Sequence, residues 1–213
     1  DVAPSRGLGD VYKRQNMRRK ESMKTEYEVR KLDVSFEKII QKLNRVGAKK
    51  VGVYHQKRYV YDFIPAQKGR WIRLRSNGKV STLTIKEVKS LHVDGTKELE
   101  IMVSDFEDTN EILAKLGYIP RTFQENFRIE YTLDGVNFDL DKWPMIPPHL
   151  EIEAKSEEDV LKAITLLGWS VDDVTTQDID AVYSKIYGID LDSIKMLKFN
   201  ESENKFINNY ESI

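Results

Sequence analysis

Glu26-Tyr27-Glu28-Val29-Arg30 is the stretch from which the fold can be read. In an extended strand successive side chains alternate between faces, so Glu26, Glu28 and Arg30 fall on one side and Tyr27 and Val29 on the other. Two carboxylates and a cation then share one surface. The same spacing returns at Glu98-Leu99-Glu100, Asp139-Leu140-Asp141 and Glu151-Ile152-Glu153, each time with an apolar residue between the acids. One such dyad describes any solvated strand face. Four of them, interleaved with strands that carry bases at the same spacing, require a common explanation.

The strands are joined by hairpin signals at Asn77-Gly78, Asp94-Gly95 and Asp134-Gly135. A two-residue turn at Asn77-Gly78 places Arg75 opposite Val80, Arg73 opposite Thr82 and Trp71 opposite Thr84. Arg73, Arg75, Thr82, Thr84 and Lys86 then share one face, and Ile72, Leu74, Leu83 and Ile85 the other. The Asp134-Gly135 turn sets Arg128 opposite Asp141 and Glu130 opposite Asp139, with Phe127, Ile129, Tyr131, Phe138 and Leu140 behind. Both hairpins separate charge from hydrocarbon. The pattern predicts an antiparallel α+β domain with one apolar face under helices and one face crowded with charge.

Three amphipathic helices follow acidic dyads, and each stops at a glycine. The first opens at Asp33 or Ser35, carries Phe36, Ile39, Ile40, Leu43 and Val46, and stops at Gly47. The second runs from about Asp105 to Gly117, and the third opens with Ser156-x-x-Asp159 and stops at Gly168. The order dyad, turn, helix, glycine, strand reads as a weak internal repeat. Trp143-Pro144-Met145-Ile146-Pro147-Pro148 carries too many prolines for a central strand and reads as a loop delivering Glu151 and Glu153. A short helix is expected over about 177–187. Residues 191–213 form a polar C-terminal tail, mobile from Asn200 on. Residues 1–16 lack periodicity and read as translated cloning-adapter sequence, outside the fold.

With 213 residues, 40% hydrophobic and 32% charged, the chain suits a soluble domain with a real core. A net charge of -1 gives no support to a nucleic-acid or anionic-membrane partner. The absence of cysteine excludes thiolate metal sites and thiol nucleophiles and fits a cytoplasmic location. Neither a signal peptide nor a run long and apolar enough to span a bilayer is seen. His55, His92 and His149 are scattered, and no catalytic role is assigned to them. Clustered carboxylates resist full ionisation unless cations compensate them. Oxygen ligands favour hard ions such as Mg²⁺ or Mn²⁺, and facing arginines and lysines suit a polyanion. A polyphosphate satisfies both halves of such a surface. Tyr59, Tyr61 and Trp71 are candidates to touch an organic group, although aromatic residues in strands more often serve packing.

Glu26-x-Glu28-x-Arg30 resembles the Glu-x-Glu-x-Lys signature of the CYTH proteins, the triphosphate tunnel metalloenzymes that include class IV adenylyl cyclases and thiamine triphosphatases. The resemblance continues through Tyr61-Asp62, Arg73-Leu74-Arg75, Thr84-Ile85-Lys86, Glu98-Leu99-Glu100, Arg128-Ile129-Glu130-Tyr131, Asp141 and Leu150-Glu151-Ile152-Glu153. The domain it marks spans 23–190. It implies a closed eight-stranded antiparallel β-barrel whose charged face lines a tunnel, with helices outside. It implies metal binding by Glu26, Glu28, Asp141, Glu151 and Glu153, and triphosphate contacts from Arg30, Arg73, Arg75, Lys86 and Arg128, with Lys57 and Arg58 as weaker candidates. Arg30, Glu98 and Glu100 are the catalytic candidates. Two departures stand out: the signature lysine is Arg30, and Asn126 occupies a place where the family often has a base.

The implied function is that of a Mg²⁺- or Mn²⁺-dependent enzyme acting on a nucleotide or other triphosphate. The C-terminal Ala181-Val182-Tyr183-Ser184-Lys185-Ile186 is more similar to the class IV adenylyl cyclase branch, which converts ATP to cyclic AMP and pyrophosphate. That branch also implies a homodimer. The alternatives are hydrolysis of inorganic or thiamine triphosphate and, in another class, a non-catalytic polyphosphate- or nucleotide-binding module.

Overall fold

The computed structural model describes residues 23–88, 90 and 92–211; the adapter reading of 1–16 lies outside them. Strands β1 (Lys24–Lys31), β2 (Lys49–Asp62), β3 (Arg70–Ser76), β4 (Ser81–Val88), β5 (Thr96–Val103), β6 (Thr122–Leu133), β7 (Val136–Lys142) and β8 (His149–Ala154) follow one another in the sheet as β2-β3-β4-β5-β1-β8-β7-β6. An antiparallel β2–β6 ladder from Lys49↔Thr132 to Val60↔Thr122 joins the two ends. The result is a closed eight-stranded antiparallel barrel. Closure removes the free edges that an open sheet of this size would expose.

Helices α1 (Phe36–Arg45), α2 (Phe106–Lys115) and α3 (Glu157–Leu166) open at Ser35, Asp105 and Ser156, whose side chains accept from the backbone three residues on. They surround the barrel instead of lining one side of a sheet. Phe36, Ile39 and Leu43 of α1 and Val160 and Ile164 of α3 pack with the outward residues Val29, Phe127, Ile129, Leu140 and Ile152. Across the barrel, Phe106 and Leu113 of α2 cover Tyr61, Ile72 and Leu74. The repeat stops at α3, which leads to α4 (Ile179–Ala181) and its wide-turn continuation Val182–Ile186, not to another barrel strand.

Two expectations on register meet different outcomes. At Asp134-Gly135 both residues take positive φ, 50° and 83°, and the ladder runs Leu133↔Val136, Glu130↔Asp139, Arg128↔Asp141 as expected. At Asn77-Gly78 the loop is four residues long, because the Asn77 side chain accepts from the backbone of Lys79 at 3.0 Å and Val80 at 2.8 Å. Arg75 therefore faces Thr82, Arg73 faces Thr84 and Trp71 faces Lys86. The slip is even, so each side chain keeps its face.

The C-terminal segment is not a mobile tail. Met196–Leu197 (β9) pairs parallel with β6, and α5 (Glu201–Asn208) opens with a capping box between Asn200 and Glu203. Ile207 and Tyr210 are buried in the main core, where the Tyr210 ring meets Phe36 at 5.1 Å. Glu203 takes Lys142 Nζ at 2.8 Å and the Met145 backbone N–H at 2.7 Å, which fastens α5 to the proline-rich loop.

Candidate functional site

The inward faces line one cavity of about 320 Å³ inside the barrel. Its two sides carry opposite charge because bases and acids mostly occupy different strands, with Arg30 among the acids of β1 and Glu130 beside Arg128 on β6 as exceptions. β2 and β3 contribute Arg58, Arg73 and Arg75, and Arg128 of the adjoining β6 extends this basic side. β5, β1, β8 and β7 contribute Glu98, Glu100, Glu26, Glu28, Glu151, Glu153, Asp139 and Asp141. Lys86 of β4 stands where the two sides meet, at 2.9 Å from Glu26 and 3.1 Å from Glu98.

On the acidic side, embedded cations balance part of the charge. Arg30 reaches Glu151 at 2.6 Å, Glu28 at 3.2 Å and the Gln177 carbonyl at 2.8 Å. Arg128 bonds Asp139, Asp141 at 2.5 Å and Glu151 at 3.3 Å, so one guanidinium serves three carboxylates. Burial works against both cations, yet these acids hold Arg30 and Arg128 above the ordinary arginine value. Glu151, between the two, is held well below the carboxylate range although burial opposes this. Glu26 is pushed up to about 7 by burial, against the Lys86 attraction and with Glu98 and Glu28 adding repulsion. Burial and the neighbouring Glu151 and Glu28 likewise raise Glu153.

The basic side has too few counter-charges. Arg73 lies 3.3 Å from Glu98, and Arg73 and Arg75 each lie 3.5 Å from Glu100. Arg58 makes no ion pair among the described residues. Its guanidinium donates to Gln56 Oε1 at 3.1 Å and to Asn126, and stacks at 4.4 Å on Trp143. Burial, then Arg73, Arg75 and Arg128, push Arg58 well below the ordinary arginine value, and Arg75 is lowered to about 10 by Arg73 and burial. Three like charges turned toward one cavity make a site that an anion would relieve.

The cavity gathers all but one of the expected site residues. Lys57 points outward, 45% exposed, to Glu107 at 2.9 Å and the Phe106 ring at 4.3 Å. Along β2 it is out of phase with Gln56 and Arg58, and that corrects its assignment to the triphosphate site. Tyr59 and Tyr61 also face out, packed against Phe106 and bonded to Asn110, whereas Trp71 lines the cavity. Two further residues belong to the site. Asp139 is buried and bound to Arg128, and His149 is 1% exposed, lowered to about 4 by burial, and lies 3.9 Å from Asp141. Asp139 is the dyad partner of Asp141 already placed on the charged face, and His149 is two residues from Glu151 on the same strand, so period-two phase could have found it.

Whether these acids suit a cation turns on donor type and arrangement. Their oxygens are the hard donors that Mg²⁺ and Mn²⁺ take. Among the described residues, no three of the acidic or imidazole groups are arranged to hold a metal ion. The reason is visible: Arg30, Arg128 and Lys86 occupy carboxylate oxygens that a cation would otherwise claim. Among the described residues, Glu153 is the one of the five expected ligands without a basic partner within ion-pair distance, and it lies opposite Glu28 in the β1–β8 ladder.

The interior of the closed barrel thus divides into a guanidinium side and a carboxylate side. Residues 14–170 match the family model of the CYTH domain, and the chain belongs to that family. Among solved structures it is similar to the PH1012 protein of Pyrococcus horikoshii OT3, at 27% identity and a TM-score of 0.63 over 72% of this chain and 96% of that one. A candidate adenylate cyclase of Vibrio parahaemolyticus gives 12% identity and a TM-score of 0.65 over 76% of this chain and 98% of that one. The candidate adenylyl cyclase HpAC1 from Hippeastrum, described as having a dominant triphosphatase activity, gives 14% and 0.54 over 78% and 97%. Among curated proteins no match was found. No helix among the described residues is long and apolar enough to cross a membrane.

Proposed function

We propose that the chain is a divalent-metal-dependent enzyme that acts on a triphosphate. The observation that carries the reading is the opposition of Arg58, Arg73 and Arg75 to a carboxylate wall across one enclosed cavity. In this reading the basic side binds the phosphate oxygens, with Arg128 reaching in from the neighbouring strand. Glu26, Glu28 and Glu153 would hold the Mg²⁺ or Mn²⁺, with Asp141 and Glu151 joining them where Arg128 and Arg30 release their oxygens. A bound divalent ion supplies neutralisation of charge on the phosphate and activation of the attacking oxygen. Arg30, fixed by Glu151 and Glu28, positions the acidic wall and does not contact phosphate. Glu98 and Glu100 orient Arg73, Arg75 and Lys86.

Two reactions use this arrangement. In cyclisation the ribose 3′-oxygen bonds to the α-phosphorus as pyrophosphate leaves, so ATP yields cyclic AMP and pyrophosphate. In hydrolysis water attacks the terminal phosphorus, giving orthophosphate and the shortened diphosphate. The cyclase-like C-terminal segment favours the first, and the triphosphatase activity named for the Hippeastrum protein, of the same fold, favours the second. One assay separates them: the purified chain with ATP or tripolyphosphate, in Mg²⁺ and in Mn²⁺, with products resolved. Cyclic AMP with pyrophosphate establishes the cyclase, and orthophosphate from tripolyphosphate establishes the hydrolase. Stoichiometric triphosphate binding with neither product establishes the non-catalytic module. Metal-dependent turnover lost in Glu26→Ala would sink that last reading.

A further inference from the structure

The turn between β7 and β8, which begins with Trp143, is held from outside the tunnel. Among the described residues the cavity is lined by elements other than α5, yet Glu203 of α5 is buried against this turn. Lys142, the last residue of β7, alternates with the inward Asp141 and Trp143 and so points out of the cavity. Its ammonium donates to the Trp143 carbonyl at 2.8 Å, the Ile146 carbonyl at 2.7 Å and Glu203 Oε1 at 2.8 Å. All three of its protons are used, and they tie both ends of the turn to one point on α5. Glu203 Oε1 also accepts from the Met145 N–H at 2.7 Å, at a left-handed φ of 66° that a residue with a side chain rarely adopts.

Trp143 depends on that backbone. Its Nε1 has no hydrogen-bond partner among the described residues, so the ring is seated by the chain on either side and by packing on Tyr183, with centroids 6.4 Å apart. The indole in turn supports the Arg58 guanidinium 4.4 Å away. Arg58 is repelled by Arg73, Arg75 and Arg128, and the groups that fix its direction are this ring and the amides of Gln56 and Asn126. A line of contacts therefore runs from Glu203 through Lys142 and Trp143 to the basic side of the cavity.

We propose that Glu203 is a positioning residue for the anion site: by clamping Lys142 and Met145 it seats Trp143 against Arg58 and presets that guanidinium for phosphate. The C-terminal helix then contributes to ligand affinity without touching the ligand, because a preset side chain loses less freedom on binding. The inference rests on the triphosphate reading of the cavity. A pair that served stability alone would leave the affinity of the folded protein unchanged.

Calorimetric titration of the full chain with tripolyphosphate tests it in wild type, Glu203→Ala, Glu203→Gln, Trp143→Leu and the double variant Trp143→Leu/Glu203→Ala. Ile207 and Tyr210 in the core and the Tyr183 bond to the Pro144 carbonyl at 2.5 Å remain to hold α5 and the turn, and a thermal melt reports whether each variant is folded. The indole N–H signal of Trp143 in the NMR spectrum, assigned by its loss in Trp143→Leu, reports the seat of the ring. Glu203→Ala is expected to bind about tenfold more weakly with a displaced Trp143 signal, and Glu203→Gln, which keeps an acceptor without the charge, about threefold more weakly. In the Trp143→Leu background, Glu203→Ala is expected to change affinity by less than about twofold, since the ring through which it acts is gone. Unchanged affinity in folded Glu203→Ala, an unmoved Trp143 signal, or the same loss in the Trp143→Leu background overturns the inference. Should Glu203→Ala fail to fold, the affinity and Trp143 signal of Glu203→Gln decide by the same criteria. Absence of tripolyphosphate binding in wild type refutes the triphosphate reading and the inference with it, whereas binding indifferent to Glu203 refutes the inference alone.

Discussion

The two walls of the tunnel treat their charges differently. On the carboxylate side, Arg30 and Arg128 are surrounded by Glu28, Glu151, Asp139 and Asp141, and Lys86 by Glu26 and Glu98, all within ion-pair distance. On the guanidinium side, among the described residues, Arg58 makes no ion pair and donates to amides beside an indole, Arg75 has one carboxylate at 3.5 Å, and Arg73 has two at 3.3 and 3.5 Å. A cation among acids cannot be removed without leaving buried charge unpaired, whereas a cation among cations is relieved by an anion. Position in the barrel thus separates paired from unpaired bases, with Arg128, bound to three carboxylates beside the basic side, at the boundary.

The largest expected effect comes from breaking the embedded set. Arg30→Met would leave Glu28 and Glu151 buried without their partner and lose the bond to the Gln177 carbonyl, costing about 3–5 kcal/mol of stability in denaturant titration. A loss below about 1 kcal/mol would mean that Arg30 is not structural. Arg58→Met should reverse the pattern. Removing a cation repelled by Arg73, Arg75 and Arg128 should leave stability unchanged or raised, while triphosphate affinity falls by about 2–3 kcal/mol, the worth of a charge-assisted bond. Glu153→Gln removes a carboxylate disfavoured by burial and by repulsion from Glu151 and Glu28, so it should leave the metal-free protein at least as stable and weaken the rise in thermal midpoint on adding Mn²⁺. The smallest effect is at the turn joining β3 to β4. Asn77→Ala forfeits two backbone contacts and should cost about 1 kcal/mol without changing which side chains enter the tunnel.

Period two made the separation of charge from hydrocarbon legible in the sequence, and with it the membership of both walls. It also survived a wrong loop length at Asn77-Gly78, since an even slip preserves faces. Phase was misapplied at Lys57, which cannot share a face with its neighbour Arg58. It placed Asp139 in a dyad with Asp141 without giving it a role, and it went unused at His149, which follows the phase of Glu151. Barrel closure depends on the long-range β2–β6 ladder, which no local pattern encodes; it came only from the resemblance. The C-terminal helix was obscured by its Asn- and Glu-rich composition, although the capping box Asn200-x-x-Glu203 and the apolar spacing of Phe206, Ile207 and Tyr210 were present. Its fixing depends on tertiary contacts to Phe36 and Lys142.

Calorimetric titration of tripolyphosphate into wild type and Arg75→Met, without divalent ions, tests the division of the walls most directly. The account predicts one site per chain in wild type, an affinity at least tenfold weaker in Arg75→Met, and an unfolding midpoint no lower in the variant. Equal affinity in the two proteins, or lost affinity accompanied by a collapse of the fold, would contradict the claim that the β2–β3 arginines are a binding surface built apart from the structural ion pairs.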